Sequence, residues 1–321
     1  MAEPLARLRR RLARLGVAAA TLLLAAWLIG RLASDRTLAT QWLFWLPTPL
    51  VIAILLLGAA VLLPLRRTAT ATLLLLALLP AASLTLVEHR WWPTDPPPAE
   101  SPADLVVAHW NASGVPYDQQ PDAADDILAT NPDLVLITDP GPFNRVPAVQ
   151  TWLGDGDDLW IPPFTVLARH GLIEARRIVD RADINATLVR ARDRRGRPVT
   201  LLAVDLPSDP ARSRMEVVTE LRRYLRPADL PRLDLVVGDF NLTRAGAALR
   251  HAFPDHRHLY DAAGRGWGAT FPRRLPLWHI DHILYHPDRV RPGNYRLLPG
   301  DHGRHHIQLG AVHLRESPPE E

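Results

Sequence analysis

Val236-Val237-Gly238-Asp239-Phe240-Asn241 is an apolar strand that ends by presenting a carboxylate and an amide side by side, and its reading decides the fold. A strand end of this composition is a place for metal-assisted chemistry on phosphate. Two further segments extend the pattern. His279-Ile280-Asp281-His282-Ile283-Leu284 interleaves polar and apolar residues, and Gly300-Asp301-His302 sets an Asp-His pair just ahead of another strand-like run.

Strand and helix patterns interleave around these segments. Leu105 to Ala108, Leu134 to Ile137, Thr165 to Ala168, Ile184 to Val189, Val199 to Val204, Leu233 to Val237, His279 to Tyr285 and His306 to His313 read as strands, several continuous enough to be buried on both faces. Helices fit Ala123 to Ala129, Ala211 to Leu225 and Ala245 to His251. In the second of these, Met215, Val218, Leu221, Tyr224 and Leu225 recur at helical spacing and are read as core. The class is α/β, and sheet-covering helices of this kind fit several architectures.

The front of the 321-residue chain is different. About Leu15 to Leu32, Leu43 to Leu65 and Ala69 to Val87 are nearly uninterrupted Leu, Ala, Val and Ile, each close to the length that spans a bilayer core. Three transmembrane helices are expected. A cleaved signal peptide would account for the first run alone, and three buried soluble helices are the other alternative. Arg7, Arg9, Arg10, Arg11 and Arg14 precede the first run, and Arg66 and Arg67 separate the second from the third. Because cytoplasmic flanks gather positive charge, the N-terminus is expected inside and everything after about Arg90 outside, at an inner or plasma membrane. Trp91 and Trp92 stand where an interfacial aromatic belt would sit, and Pro93, Pro96, Pro97, Pro98 and Pro102 make a stiff tether. The expected organisation is an anchor over 1–90, a tether over 91–103, a domain over 104–315 and a charged tail over 316–321.

The net charge of +3 conceals an uneven distribution. Residues 1–90 carry ten Arg against Glu3, Asp35 and Glu88, so the remainder is net acidic by four. An acidic domain is a poor nonspecific binder of the phosphate backbone, and nucleic acid is not the expected partner. Arg190, Arg192, Arg194, Arg195 and Arg197 form a dense basic stretch in this remainder and are read as a solvated hairpin. The chain has no cysteine and therefore no disulfide or thiol chemistry.

In this order and near this spacing, the three motif segments resemble the endonuclease/exonuclease/phosphatase superfamily. Gly268-Ala269-Thr270-Phe271-Pro272, followed by Pro276-Leu277-Trp278-His279-Ile280-Asp281, is similar to its membrane-attached bacterial branch of teicoplanin-resistance-type proteins. The resemblance covers roughly Leu105 to Leu314 and implies a four-layer α/β/β/α sandwich with active-site groups at strand ends along one edge. It implies that Asp301 binds a metal and His302 takes a proton from the attacking water, with Asp281 orienting the imidazole. Asp239 would ligate or polarise near the reacting oxygens, Asn241 would hold phosphoryl oxygens, and Asn111, at the end of Leu105 to Asn111, would serve the metal or the phosphate. Taken alone, Asn111 reads as a turn residue. The implied ion is Mg²⁺ or Mn²⁺.

Two positions depart from the family pattern. Where the family has a metal-binding Glu, Asp133 to Asp139 ends in Asp139, one methylene shorter. Where hydrolytic members carry a His, Thr200 to Pro207 has Asp205, which cannot donate to phosphate oxygens unless it is protonated or bridges to a metal. Asp205 also reads as a cap for the turn at Ser208. Nine of the 13 His fall between His251 and His306. With no Cys and no His pair on a clear helix, they read as scattered core and surface residues and not as a second metal site. His279 and His305 are the two expected to border a pocket. The expectation is thus a membrane-anchored, divalent-metal-dependent phosphoesterase acting on an envelope or lipid-linked phosphate ester. Its alternatives are a catalytically silent binding module of the same fold and an extracellular nuclease.

Overall fold

The apolar front of the chain becomes helices that turn their leucines outward. The computed structural model describes residues 2–92, 102–139, 141, 143–181, 183–225 and 232–315, and divides into units of residues 1–90 and 91–321. Most of the Pro-rich stretch and the charged tail lie outside the described residues. In the first unit, α1 (Ala2–Ala33), α3 (Thr48–Leu62) and α4 (Arg67–Ser83) pack through small and medium residues such as Ala13, Ala20, Ala59, Ala69 and Ala77, and α2 (Leu38–Phe44) lies against α1 at Gly30. Leu22, Leu57, Leu75 and Leu78 face outward, the inverse of a water-soluble bundle. Two helices, Ala6–Ala33 and Arg67–Glu88, are long and apolar enough to cross a membrane.

The middle run expected as one span is instead broken. α2 and α3 meet at 62°, and together they make a third span only if the bent pair is counted as one. Pro47 at the cap of α3 and Pro49 in its first turn lack the N–H groups that would continue α2. Polar groups at this end satisfy one another: Arg31 Nη2 donates to Thr48 Oγ1 at 2.7 Å, and Thr48 donates to Glu88 Oε1 at 2.5 Å.

In the second unit the chain runs β1 (Leu105–Asn111), α5 (Gln120–Leu128), β2 (Leu134–Thr138), α6 (Pro147–Leu153), β3 (Asp157–Ile161), β4 (Phe164–Ala168) and β5 (Leu172–Arg181). It continues with β6 (Ile184–Arg192), β7 (Pro198–Asp205), α7 (Arg214–Tyr224), β8 (Leu235–Asp239), α8 (Ala247–Ala252), β9 (Arg257–His258) and α9 (Leu259–Ala263). β10 (Asp281–Tyr285), β11 (Val290–Leu298) and β12 (Ile307–Leu314) complete it. Two six-stranded sheets form, ordered β11-β12-β1-β2-β4-β3 and β5-β6-β7-β8-β10-β9.

Alternation along the central strands builds the layers. Leu105, Val107, Leu134 and Leu136 of one sheet meet Leu201, Ala203, Leu235, Val237 and Ile283 of the other in a shared core. The opposite residues, Ala108, Trp110, Val135 and Ile137, lie under Ala124 and Ile127 of α5 and Val149 and Leu153 of α6. Leu202, Val204 and Val236 lie under Val217, Val218 and Leu221 of α7 and Leu249 of α8. The result is the expected α/β/β/α sandwich.

Topology places the site. β1 runs parallel to β2 and β7 parallel to β8, with Asn111 opposite Thr138 and Asp205 opposite Asp239. The carboxyl ends of all four central strands are therefore on one edge. β10 is antiparallel to β8, so its first residue, Asp281, pairs with Asp239 on the same edge. β12 is antiparallel to β1, which brings the segment just before Ile307 there too. Gly238 permits the close approach of β7 and β8: a Cβ there would lie 1.8 Å from the Val204 carbonyl oxygen.

Candidate active site

The polar ends of these strands line a cavity of about 700 Å³ that holds Asn111, Asp139, Asp205, Asp239, Asn241 and His305. Because residues two apart share a face, Asp205, Asp239 and Asp281 continue the inward rows of Leu201-Ala203, Leu235-Val237 and Ile283-Tyr285. The apolar rows seal the core and their last members carry the charge.

Hydrogen bonds fix each group. Asn111 Nδ2 donates to Asp239 Oδ2 at 2.7 Å, while its Oδ1 accepts the Ser113 amide at 2.8 Å. Asp239 Oδ1 accepts the Asn241 amide at 2.9 Å, and Asn241 Nδ2 donates to the Leu206 carbonyl at 2.8 Å. Asn241 and Asp139 both adopt left-handed backbone, with φ of 48° and 50°, a conformation that Asn and Asp tolerate better than most side chains and that clusters at functional sites. Among the described residues, Asp205 Oδ2 accepts only a long 3.4 Å bond from Asn185.

His305 is the histidine at this cavity. Its Nδ1 lies 2.9 Å from Asp281 Oδ2, its ring packs against Phe271 at 4.8 Å between centroids, and its carbonyl accepts the Trp110 indole N–H at 3.2 Å. The Gly268 to Pro272 signal finds its use here. Thr270 Oγ1 accepts the amides of Ile280 and Asp281 at 3.2 and 3.3 Å, and Phe271 bridges to Trp278, closing the loop that supports Asp281 and His305.

Electrostatics follow from burial and neighbours. Desolvation, reinforced by the nearby charge of Asp239, holds the Asp205 carboxyl well above the ordinary carboxylate range. Desolvation and the Asp281 charge likewise raise Asp239. Burial works to raise Asp281 too, but the charge and hydrogen bond of His305 outweigh it and leave Asp281 lowered. Burial works against a charged His305, yet Asp281 and then Asp239 prevail and raise it. Burial also raises Asp139.

Asp301 and His302 are not brought to this cavity. Gly300 and Gly303, at φ of 50° and 68°, carry the intervening loop outward, where Asp126 of α5 captures it. Asp126 Oδ2 accepts the Asp301 amide at 3.0 Å and lies 3.0 Å from His302 Nδ1. The Asp-His geometry expected of Asp281 and His302 belongs to Asp281 and His305, three residues further on. Position was the available signal: His305 stands two residues before the final strand. Arg304, also unassigned in the sequence, is the only arginine among the described residues lining the cavity.

The clustered histidines also need correction. His256 and His286 pair with each other at 5.3 Å between ring centroids, but His258, His279 and His282 form a buried group of their own.

A divalent cation fits the strand-end site. One ligand atom each from Asp239, Asp281 and His305 lies within 4.8 Å of the others, and among the described residues Asp281 Oδ1 is buried without a hydrogen-bond partner of ordinary geometry. An oxygen-rich donor set of this kind suits Mg²⁺ or Mn²⁺.

No family model matches the chain, and no curated protein matches it in sequence. Solved structures do match its fold. An endonuclease/exonuclease/phosphatase from Bacteroides vulgatus superposes with a TM-score of 0.51 at 16% identity, over 66% of this chain and 99% of that one. The chain has the endonuclease/exonuclease/phosphatase fold. A mannosyl-6-phosphatase from Bacteroides thetaiotaomicron gives 0.52 at 12% identity, over 65% and 99%. A conserved protein of unknown function from Enterococcus faecalis gives 0.52 at 15% identity, over 66% and 100%. At these identities the endonuclease/exonuclease/phosphatase fold is what the chain shares with them, while chemistry must be argued from its own residues.

Proposed function

We propose that the chain is a membrane-anchored, divalent-metal-dependent phosphoesterase. The observation that carries this reading is the buried His305–Asp281 pair facing Asp239 at the converged strand ends. With Nδ1–H donated to Asp281, His305 keeps Nε2 to take a proton from water, and Asp281 fixes the tautomer and steadies the imidazolium that forms. Asp239, Asp281 and Asp139 would hold Mg²⁺ or Mn²⁺, with Asn111 orienting Asp239. The bound ion supplies Lewis-acid stabilisation of charge at phosphorus. Asn241 and Arg304 would hold phosphoryl oxygens from the cavity wall. Asp205 stands where a cationic donor would help, and its raised pKa lets it donate as a neutral acid.

Substrate class follows from placement. Helices long and apolar enough to cross a membrane, an arginine bias that favours an outside location for the second unit, and the net acidity of that unit together favour an envelope or lipid-linked phosphate ester over chromosomal nucleic acid. The mannosyl-6-phosphatase likeness is consistent with a phosphoester substrate. Asp205 also supports a second reading, a silent binding module, since a carboxylate replaces the histidine of the family pattern. The deciding assay uses purified chain with Mg²⁺ or Mn²⁺ against a generic phosphodiester, a phosphomonoester and single-stranded DNA. Turnover of either small ester supports the phosphoesterase, preferential cleavage of DNA supports a nuclease, and no turnover of any supports the silent module.

A further inference from the structure

His282 follows Asp281 in β10 and so faces the opposite side of the sheet. There it meets His258 of β9 and His279 from the loop before β10. His258 Nε2 and His282 Nδ1 are 2.6 Å apart, and His282 Nε2 lies 2.7 Å from the Leu242 carbonyl. A carbonyl only accepts, so His282 carries its proton on Nε2 and turns a lone pair on Nδ1 toward His258. His279 stacks on His282 at 5.1 Å and stands edge-on to His258 at 4.7 Å between centroids. It is 8% exposed, and among the described residues neither of its ring nitrogens meets a partner at ordinary hydrogen-bond geometry, the Asp281 backbone offering only a weak contact.

Hydrogen bonding accounts for two of these rings without a metal. His258 can donate from Nε2 to His282 and accept the Tyr260 amide on Nδ1 at 3.1 Å. It does not account for His279, which is buried with neither nitrogen well bonded among the described residues, a costly arrangement unless something else satisfies them.

We propose that His258, His279 and His282 form a transition-metal site of the Zn²⁺ class, distinct from the oxygen-rich strand-end cavity. One nitrogen from each ring already lies within 4.8 Å of the other two. Imidazole donors suit Zn²⁺, Co²⁺ or Ni²⁺ where carboxylate and amide oxygens suit Mg²⁺ or Mn²⁺, so the two sites select different ions. Leu242 is the outer partner that fixes His282 for ligation. Loading requires the close His258–His282 pair to open to the roughly 3.3 Å that tetrahedral ligands adopt at Zn–N distances near 2.0 Å. His258 must also release the Tyr260 amide, because Nδ1 carries the proton once Nε2 ligates. Ligands at 279 and 282 bracket Asp281 in sequence, so the metal would brace the segment that carries it. This inference stands on the histidine geometry alone and does not depend on the phosphoesterase reading.

The test uses the full chain, purified in detergent, stripped with a chelator and saturated with Mg²⁺ before titration with Co²⁺ or Zn²⁺. Parent protein should take up one equivalent of Zn²⁺, and Co²⁺ should give the visible bands of a nitrogen-ligated, low-coordinate ion that Zn²⁺ abolishes. Affinity should fall at least a hundredfold in His279→Ala and in His279→Gln, which retains bulk in the core, and should be unchanged in Asp239→Asn. The parent's own uptake decides the matter even if both His279 variants misfold: no uptake above the Mg²⁺-saturated background overturns the site. Unchanged uptake in a folded His279 variant, or loss in Asp239→Asn, overturns it equally by locating the ion elsewhere.

Discussion

His305 Nδ1 and Asp281 Oδ2 lie 2.9 Å apart across a gap of 24 residues, with the Asp281 side chain fully buried and His305 at 6% exposure. That pairing, and not the Asp-His sequence at 301–302, has the geometry of an oriented general base. His305→Ala should therefore lower kcat by about a hundredfold or more, while His302→Ala, which severs only the contact with Asp126, should leave kcat within about threefold of the parent. Circular dichroism checks that both variants fold. The reverse ranking would return the base to His302.

Asp281 raises the pKa of His305, which fixes the sign of a pH experiment. A base must be neutral to act, so activity rises as pH climbs through the His305 pKa. Asp281→Asn removes the charge that raises it and should move the acid limb of the kcat/KM profile to lower pH while depressing the plateau. A limb that stayed in place or moved upward would mean that another group controls it.

The fold was legible because inward rows such as Leu201-Ala203-Asp205 and Leu235-Val237-Asp239 announce buried strands that end in polar residues. Every strand read from the sequence corresponds to one in the structure. The strands that sequence reading passed over are β3, β5, β9 and β11. β5, Leu172–Arg181, is an edge strand whose Glu174, Arg176, Arg177 and Asp180 obscure its alternation, and β11 is interrupted by a bulge between Pro292 and Asn294. In the candidate site, Asn111, Asp205 and Asp239 were legible as strand ends, Asn241 as the residue just past one and Asp281 as near the start of another. The choice between His302 and His305 was not, since it turns on two left-handed glycines and on capture by Asp126, a contact across 176 residues. The histidine cluster was hidden for a similar reason: His258 reaches His279 and His282 only through strand pairing.

Raised carboxyl pKa values predict how the ion-free protein responds to pH. Asp205 and Asp239 ionise less readily folded than unfolded, so the native state holds more protons above the unfolded value of about 3.9, and stability falls as pH rises through the folded values. For Asp239 that window extends to about 7. His305, also raised, contributes stability that is present below its unfolded pKa and lost as pH rises through its folded one. Thermal unfolding in chelator should therefore show Tm declining from pH 5 to pH 8, and Mn²⁺ should raise Tm more at pH 8 than at pH 5. An equal Mn²⁺ effect at both pH values would detach the ion from these carboxylates.

Arginine placement predicts sidedness. With Arg7 to Arg14 and Arg66 to Arg67 held inside, the second unit should be digested by protease added to intact spheroplasts of an expressing bacterium, and an N-terminal tag should be protected until lysis. Protection of the second unit would reverse the orientation and remove the argument for an envelope substrate.

Asp205 decides between a working enzyme and a silent module. If it acts as a neutral donor to the phosphoryl group, Asp205→Asn keeps an N–H donor in its place and should retain activity within about tenfold, whereas Asp205→Ala should lose about a hundredfold. Asp205→His would supply a cationic donor and should raise kcat above the parent. Loss of activity in both Asp205→Asn and Asp205→His would instead assign Asp205 the role of an ion ligand, and Mn²⁺ affinity by calorimetry should then fall in the same two variants. Should the parent and all three variants leave phosphodiester and phosphomonoester untouched while parent protein binds no Mn²⁺, the phosphoesterase reading gives way to the binding module.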